Sequence, residues 1–193
     1  MDRDEGATAR LTTARLTLAP HVPADLDESA ELWSDPRVVR YLGAQPSTRA
    51  ESWARLLRHA GAWALLGYGF WVARERETGR FVGEVGFGAF ERDLTPTLGD
   101  APEAGWILSP WAHGAGYATE AALAAMAWAD ARLAAQDTVC MISPDNGPSL
   151  RVAAKCGYIE YARAIHRGAG VVLLRRPRPG NAIASPPSPT GES

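Results

Sequence analysis

Glu103-Ala-Gly-Trp-Ile-Leu108-Ser-Pro-Trp-Ala-His113-Gly-Ala-Gly116-Tyr-Ala-Thr-Glu120 is the stretch from which the rest of the chain can be ordered. Glu103 to Leu108 reads as a short apolar strand and Pro110 breaks it. A loop holding Gly114 and Gly116 then enters an alanine-rich helix that runs to about Leu133. Small residues ahead of a helix N-terminus let several backbone N–H groups and the positive end of the helix dipole converge on one anion, typically a phosphate. No Gly-Lys-Ser/Thr follows, which excludes a Walker-type loop. Thr119 and the lengthened turn from Ser109 to Ala112 fit a dinucleotide fingerprint poorly. An isolated Gly-x-Gly is a weak signal, so the surrounding chain has to decide.

Upstream, Arg10 to Ala19 is a strand-like run ended by Pro20 and Pro23, Ala24 to Trp33 has helical composition, and Asp35-Pro36 restarts a short helical turn. Thr48-Arg-Ala-Glu51 has the spacing of a capping box and predicts a helix through Trp53, Leu56, Leu57 and Ala60. After Gly67 the pattern changes. Tyr68 to Ala73 and Arg80 to Phe90 are rich in aromatic and branched residues and flank Glu77-Thr-Gly-Arg80, which predicts a β-hairpin. Leu94 to Pro102 reads as a loop.

Downstream, the helix after the glycine loop is apolar almost all round from Ala118 to Ala129, so it is expected to be buried on more than one side. Thr138 to Ile142 is a short strand. Asn146 to Cys156 is a helix with a capping residue, a first-turn Pro148 and a stop at Gly157. Tyr158 to Ile165 and Gly170 to Arg175 complete the pattern as two strands. Trp33, Tyr41, Trp53, Trp63 and Tyr158 are core candidates.

The chain of 193 residues, 46% hydrophobic and 22% charged, is expected to form a single domain over residues 10–176. Residues 1–9 are expected to be a flexible start and the Pro/Ser-rich 177–193 a disordered tail. A formal net charge of −2 gives no overall bias toward nucleic acid or an acidic membrane. With no signal peptide and no apolar run long enough to span a bilayer, the protein reads as cytoplasmic. Cys140 and Cys156 suggest buried thiols rather than a disulfide framework, and no metal site is expected.

Three segments together resemble the GNAT superfamily of N-acetyltransferases, most closely its RimJ/RimL-like branch: Glu103 to Leu108, Trp111 to Ala121, and Asn146-Gly-Pro-Ser149-Leu-Arg-Val-Ala-Ala-Lys155-Cys-Gly157-Tyr158. The resemblance implies an α/β fold with a mixed, largely antiparallel central sheet and helices on both faces. It also implies acetyl-coenzyme A as co-substrate and an amine acceptor, with no metal. His113, Gly116 and Ala118 occupy the defining positions of the family's pyrophosphate loop, His113 standing where Gln or Arg is usual. Gly114, Ala115 and Tyr117 complete that cradle. Trp106, Ile107 and Leu108 would offer the pantetheine arm a free strand edge, and Asn146 would bond it. The acceptor would be an N-terminal α-amine of a protein or peptide. A small amine such as an antibiotic or polyamine is the alternative, and an acyl-coenzyme A binding module without turnover is a third reading. Homodimers are common in the family.

The implied chemistry is attack of a neutral amine on a thioester, so a base must take a proton and the leaving thiolate benefits from a donor. Glu103 resembles the family's strand carboxylate and is the preferred base, with Glu84 as runner-up. Ser149 matches the serine that would protonate the thiolate. A backbone N–H of Ile107 or Leu108 would hold the oxyanion. A two-step route through either cysteine is disfavoured because neither has a neighbouring activator. The acceptor would be walled by Trp33 to Gln45 and Arg163 to Gly170.

Overall fold

Thr48 caps the helix the sequence predicts: its Oγ1 accepts from the Glu51 N–H at 3.3 Å, and the Glu51 carboxylate accepts from the Thr48 N–H at 2.7 Å. Gly67, left-handed at φ 73°, ends that helix and releases the chain into the sheet. The computed structural model describes residues 9–42 and 45–180. Its strands are β1 (Leu11–Thr12), β2 (Leu16–Pro20), β3 (Phe70–Glu75), β4 (Phe81–Gly88), β5 (Glu103–Leu108), β6 (Asp137–Ile142), β7 (Ile159–His166) and β8 (Ala169–Pro177). The helices are α1 (Leu26–Ser34), α2 (Pro36–Val39), α3 (Arg49–Leu66), α4 (Tyr117–Arg132) and α5 (Gly147–Lys155). One sheet runs β1-β2-β3-β4-β5-β6-β8-β7, antiparallel throughout except for the parallel pair β5–β6.

Helices cover both faces, as expected. Ala121, Ala122, Ala125 and Ala129 bring α4 close against Val82, Val85, Phe87, Ala104 and Leu108. Fully buried Trp71 anchors that layer, with ring centroids 4.8 Å from Trp63 and 5.2 Å from Trp128. On the opposite face Leu32, Trp33 and Val39 of α1 and α2 cover Val72 and Phe81. The loop after β4 covers the β6–β8–β7 half of that face through Leu98, which packs with Val139, Ala164 and Leu173. A register shift at Ala73/Arg74 against β4 changes which side chains share a face. Val82 and Val85, three residues apart, therefore both join the α4 layer, and Glu84 turns toward α1.

Several expectations shift. Arg10 to Ala19 is a hairpin rather than one strand, because Thr13 accepts the Leu16 N–H on its hydroxyl at 2.9 Å and turns the chain. Trp53 is 37% exposed on the outer side of α3 with Leu57, since Ser52, Leu56 and His59 take the inner side. Ala9, placed in the flexible start, is buried and its carbonyl accepts from Trp71 Nε1. Pro177 belongs to β8 and the Arg178 N–H donates to the Gln136 carbonyl at 2.7 Å, so order extends past the expected tail boundary. The remainder of both expected flexible ends, 1–8 and 181–193, and Gly43 and Ala44 of the expected acceptor wall lie outside the described residues. Among the described residues no helix is long and apolar enough to cross a membrane.

Candidate active site

β5 and β6 are in register at one pair, Glu103 with Val139, where the Val139 N–H donates to the Pro102 carbonyl at 3.1 Å. Beyond that vertex Ala104 to Leu108 stay paired with β4 on one side and have no β6 residue in register on the other. The strands are parallel, so the gap opens toward the C-terminal ends of both. The N-termini of α4 and α5 lie there, each reached by a short connection from its strand. Ile107 packs with the α1 layer, while Trp106 and Leu108 pack with the α4 layer. The strand period therefore puts Glu103, Gly105 and Ile107 on the α1 side.

The glycine loop forms the open end. Gly114 and Gly116 are left-handed, at φ 77° and 83°, a conformation that costs any residue with a Cβ. A Cβ at Gly114 would meet nothing within 4 Å, so this bend leaves room for a ligand to approach the backbone. The first intrahelical bond of α4 here is from the Glu120 N–H to the Gly116 carbonyl at 3.1 Å, which leaves the N–H groups of Tyr117, Ala118 and Thr119 unclaimed by the helix. Exposed His113 and Ala115 flank the glycines. His113 Nε2 donates to the Leu108 carbonyl at 2.9 Å, so its ring fastens the loop to β5.

The cation beside the loop comes from elsewhere. Arg15, in the β1–β2 turn, donates to the Ala115 carbonyl at 2.9 Å, pairs with Glu120 at 2.7 Å and lies 4.4 Å over the Tyr117 ring. Burial alone would raise the Glu120 carboxyl, yet bonds from Thr13 and Arg15 hold it below its usual range. Glu120 is thereby committed to locking the β1–β2 turn onto α4. The sequence reading missed Arg15, and nothing in its local surroundings marks it. On the other side of the gap, Asn146 accepts the Ser149 N–H at 3.2 Å and caps α5. Both side chains are half-buried at the α5 entrance.

At the vertex, Glu103 is buried and held bidentately by Arg92, at 2.5 Å through Nε and 2.7 Å through Nη2. The third Arg92 nitrogen lies 3.4 Å from His166 Nε2, and the guanidinium sits 4.8 Å over the Phe90 ring. Burial, Arg92 and Arg167 push the His166 imidazole below its ordinary value. The Phe70 ring stands over Gly105, 3.0 Å from where a Cβ would be. The sequence reading named Glu103 but not its partner Arg92, which the loop delivers from outside the recognised segments.

Glu84 lies behind that wall. Ser29 donates to it at 2.6 Å and Trp33 at 3.0 Å, with His21 Nε2 3.3 Å away. Burial raises its carboxyl, and the surrounding donors outweigh that and bring it down to about 2. Glu84 is opposite Ile107 in the β4–β5 register and only 1% exposed, and Phe70 stacks on its neighbour His59 at 4.5 Å. Burial pushes the Cys140 thiol well up and Cys156 to about 11, which disfavours the thiolate at both positions. Tyr158 is buried core, 2.7 Å from the Thr138 hydroxyl.

A strand pair parted beyond one residue, with a two-glycine loop and a helix N-terminus at its mouth, fits the pantetheine arm and the pyrophosphate of acetyl-coenzyme A. The profile of the acetyltransferase (GNAT) domain matches residues 15–159. A structure from Bordetella pertussis assigned to the GnaT-family acetyltransferases superposes with a TM-score of 0.77 at 32% identity, covering 86% of this chain and 98% of that one. An acetyltransferase from Agrobacterium tumefaciens gives 0.73 at 28% identity, covering 86% and 92%. The uncharacterized protein YkkB of Bacillus subtilis is 27% identical over 167 residues, 83% of this chain and 91% of its own length. Fold, gap and sequence agree: the chain belongs to the GNAT family and is an acetyl-coenzyme A-dependent N-acetyltransferase.

Proposed function

We propose that the acceptor is the α-amine at the N-terminus of a protein or peptide, following the RimJ/RimL-like resemblance, and that the acetyl group passes to it directly. Structures sharing this fold at 15% and 16% identity are a spermidine N-acetyltransferase from Vibrio cholerae and a ribosomal-protein-S5-alanine acetyltransferase from Vibrio fischeri. Fold therefore leaves the acceptor open, and the site has to decide. The observation that carries the reading is the charge around the vertex: Arg92 offsets Glu103, and Arg58 near Phe90 and Arg167 beside His166 add positive charge that would repel a polycation.

A cleft of about 530 Å³, with Glu28, Glu31 and Asp35 in its wall alongside Arg37 and Arg80, is the feature that would suit a small cationic amine. It lies beside Ser109 to Trp111, at the far end of β5 from Glu103. Five strand residues separate those ends, roughly 17 Å, too far for its occupant to reach a thioester at the vertex. Glu28 is also paired with Arg74 and Asp35 with Arg37.

In the proposed reaction the orphan N–H groups at Tyr117 to Thr119 and the loop backbone from His113 to Ala118, with Arg15, hold the pyrophosphate. The β5 edge at Trp106, Ile107 and Leu108 holds the pantetheine arm, and Asn146 bonds it from α5. Glu103 takes a proton from the acceptor ammonium. The nitrogen lone pair then forms the C–N bond, the intermediate loses the nitrogen's second proton to solvent, and the C–S bond breaks. A backbone N–H of Ile107 or Leu108 steadies the oxyanion, and Ser149 gives the departing sulfur a proton that solvent restores. Proximity supplies much of the acceleration, since direct transfer needs no covalent enzyme intermediate. A thiol-release assay with acetyl-coenzyme A and a panel of peptides and small amines tests the reading. Peptide α-amines should be turned over in preference to polyamines. Release with polyamines alone would establish the small-amine reading, and the absence of release with every acceptor would leave a binding module.

A further inference from the structure

We infer that the acceptor carries a carboxylate close to its amine, and that Arg92 is the residue that reads it. The inference rests on the acetyltransfer reading above and names the class of acceptor within it.

Arg92 is placed as a recognition group. Its fork spans both oxygens of Glu103, its third nitrogen lies toward His166, and its flat face rests on Phe90. Phe90 is 6.3 Å from Phe70, the ring that stands over Gly105, so the guanidinium borders the strand position nearest the vertex of the gap. The pair is not sealed: the Arg92 side chain keeps 21% exposure and Glu103 9%. A planar fork matches a carboxylate bidentately, which a lysine ammonium does not.

While Arg92 holds one lone pair on each Glu103 oxygen, the guanidinium competes with a substrate ammonium for the same carboxylate. A zwitterionic acceptor resolves this without leaving a charge unpaired. Its carboxylate takes the fork of Arg92, its ammonium takes Glu103, and the four charges balance. An amine without a carboxylate would have to strip Glu103 from Arg92 and leave the guanidinium unpaired in a part-buried site, which is costly. A polyamine would add positive charge facing Arg92 and Arg58. Acceptor recognition and release of the base are thus one exchange of partners. Once the exchange has occurred, one ammonium proton moves to Glu103 and the C–N bond forms; the nitrogen's second proton passes to solvent, the C–S bond breaks, and Ser149 protonates the thiolate and regains its proton from solvent.

Two sources supply this chemistry: the α-carboxylate of a free amino acid, or the side-chain carboxylate of an acidic first or second residue in a peptide. Thiol release by the full chain with acetyl-coenzyme A separates them. The acceptors are glycine against glycinamide, and peptide amides beginning Asp or Ser-Glu against those beginning Asn or Ser-Gln. The carboxylate member of at least one pair should be favoured about tenfold or more in kcat/KM, as expected when its loss strands a part-buried charge, and the pair that responds identifies the source. In Arg92→Met the preference should vanish through a raised KM, while Arg92→Lys should keep only part of it. Calorimetric affinity for acetyl-coenzyme A should be unchanged in both variants, which shows that they are folded. Equal turnover of acids and amides by the wild-type chain overturns the inference and leaves acetyltransfer standing, as does a preference that survives in Arg92→Met. The absence of release with every one of these acceptors overturns both.

Discussion

Glu84 keeps its charge at 1% exposure because Ser29, Trp33 and His21 surround its oxygens. Its neighbour His59 has the opposite fate. Burial, reinforced by His21, Arg58 and Arg55, pulls the His59 imidazole down from 6.5 to about 3 against the attraction of Glu84. The unfolded chain takes up that proton near pH 6.5 and the folded chain only near 3. Between those values the unfolded state binds more protons, so stability falls as the pH falls, by up to ~1.4 kcal/mol per unit. Glu84, lowered from 4.5 to about 2, adds a loss of the same sign below pH 4.5. Urea midpoints for the wild-type chain should therefore drop from pH 6.5 to 4.5. His59→Phe, which keeps the stack on Phe70, should remove most of that drop. A variant as acid-sensitive as the wild type would show that another group carries the protons. The sequence named Glu84 as a candidate base, yet not its environment, because His21, Ser29 and His59 come from three separate segments that only the folded sheet brings together.

At the scale of elements, the parts that were legible are those whose determinants are local. Thr48 and Glu51 set the start of α3, Gly67 its end, and Asn146 with Pro148 the start of α5. The β5–loop–α4 unit follows from Pro110 and two left-handed glycines in sequence. Arg15 and Arg92 were not legible, because each is an arginine in a turn or loop whose partner lies on another strand or helix. Gly114 allows a test of the unit as a whole. Open space surrounds its missing Cβ, so Gly114→Val costs the free protein the left-handed strain alone, roughly 1–2 kcal/mol. The same side chain would project where the loop backbone should meet the pyrophosphate. The variant should remain folded by circular dichroism and lose acetyl-coenzyme A affinity by about two orders of magnitude, near 2.7 kcal/mol. Undiminished affinity would remove the loop from the binding site.

Across the whole molecule, the sheet is two half-sheets that meet at one register pair, Glu103 with Val139, backed by α4 on one face. The loop that runs from β4 to β5 ties the other face, through Arg92 on Glu103 and Leu98 against Val139 and Leu173. Such a seam is weak in backbone hydrogen bonds, and a ligand lying along the free edge of β5 would supply the ones it lacks. Acetyl-coenzyme A at about one hundred times its Kd should stabilise the chain by ~2.7 kcal/mol, which for a chain of this size raises Tm by roughly 5–10 °C. Where the stabilisation falls is the sharper test. Hydrogen exchange should slow at the β5 amides between Ala104 and Leu108 that face β6, as well as at the loop from His113 to Ala118. Adenosine 3′,5′-bisphosphate has no pyrophosphate or pantetheine arm, so even at saturation it should leave β5 exchanging as in the free chain. Protection of β5 by that fragment would mean that the seam closes as a body around any ligand. Protection by acetyl-coenzyme A restricted to the loop would place the pantetheine arm outside the gap, and with it the thioester away from Glu103.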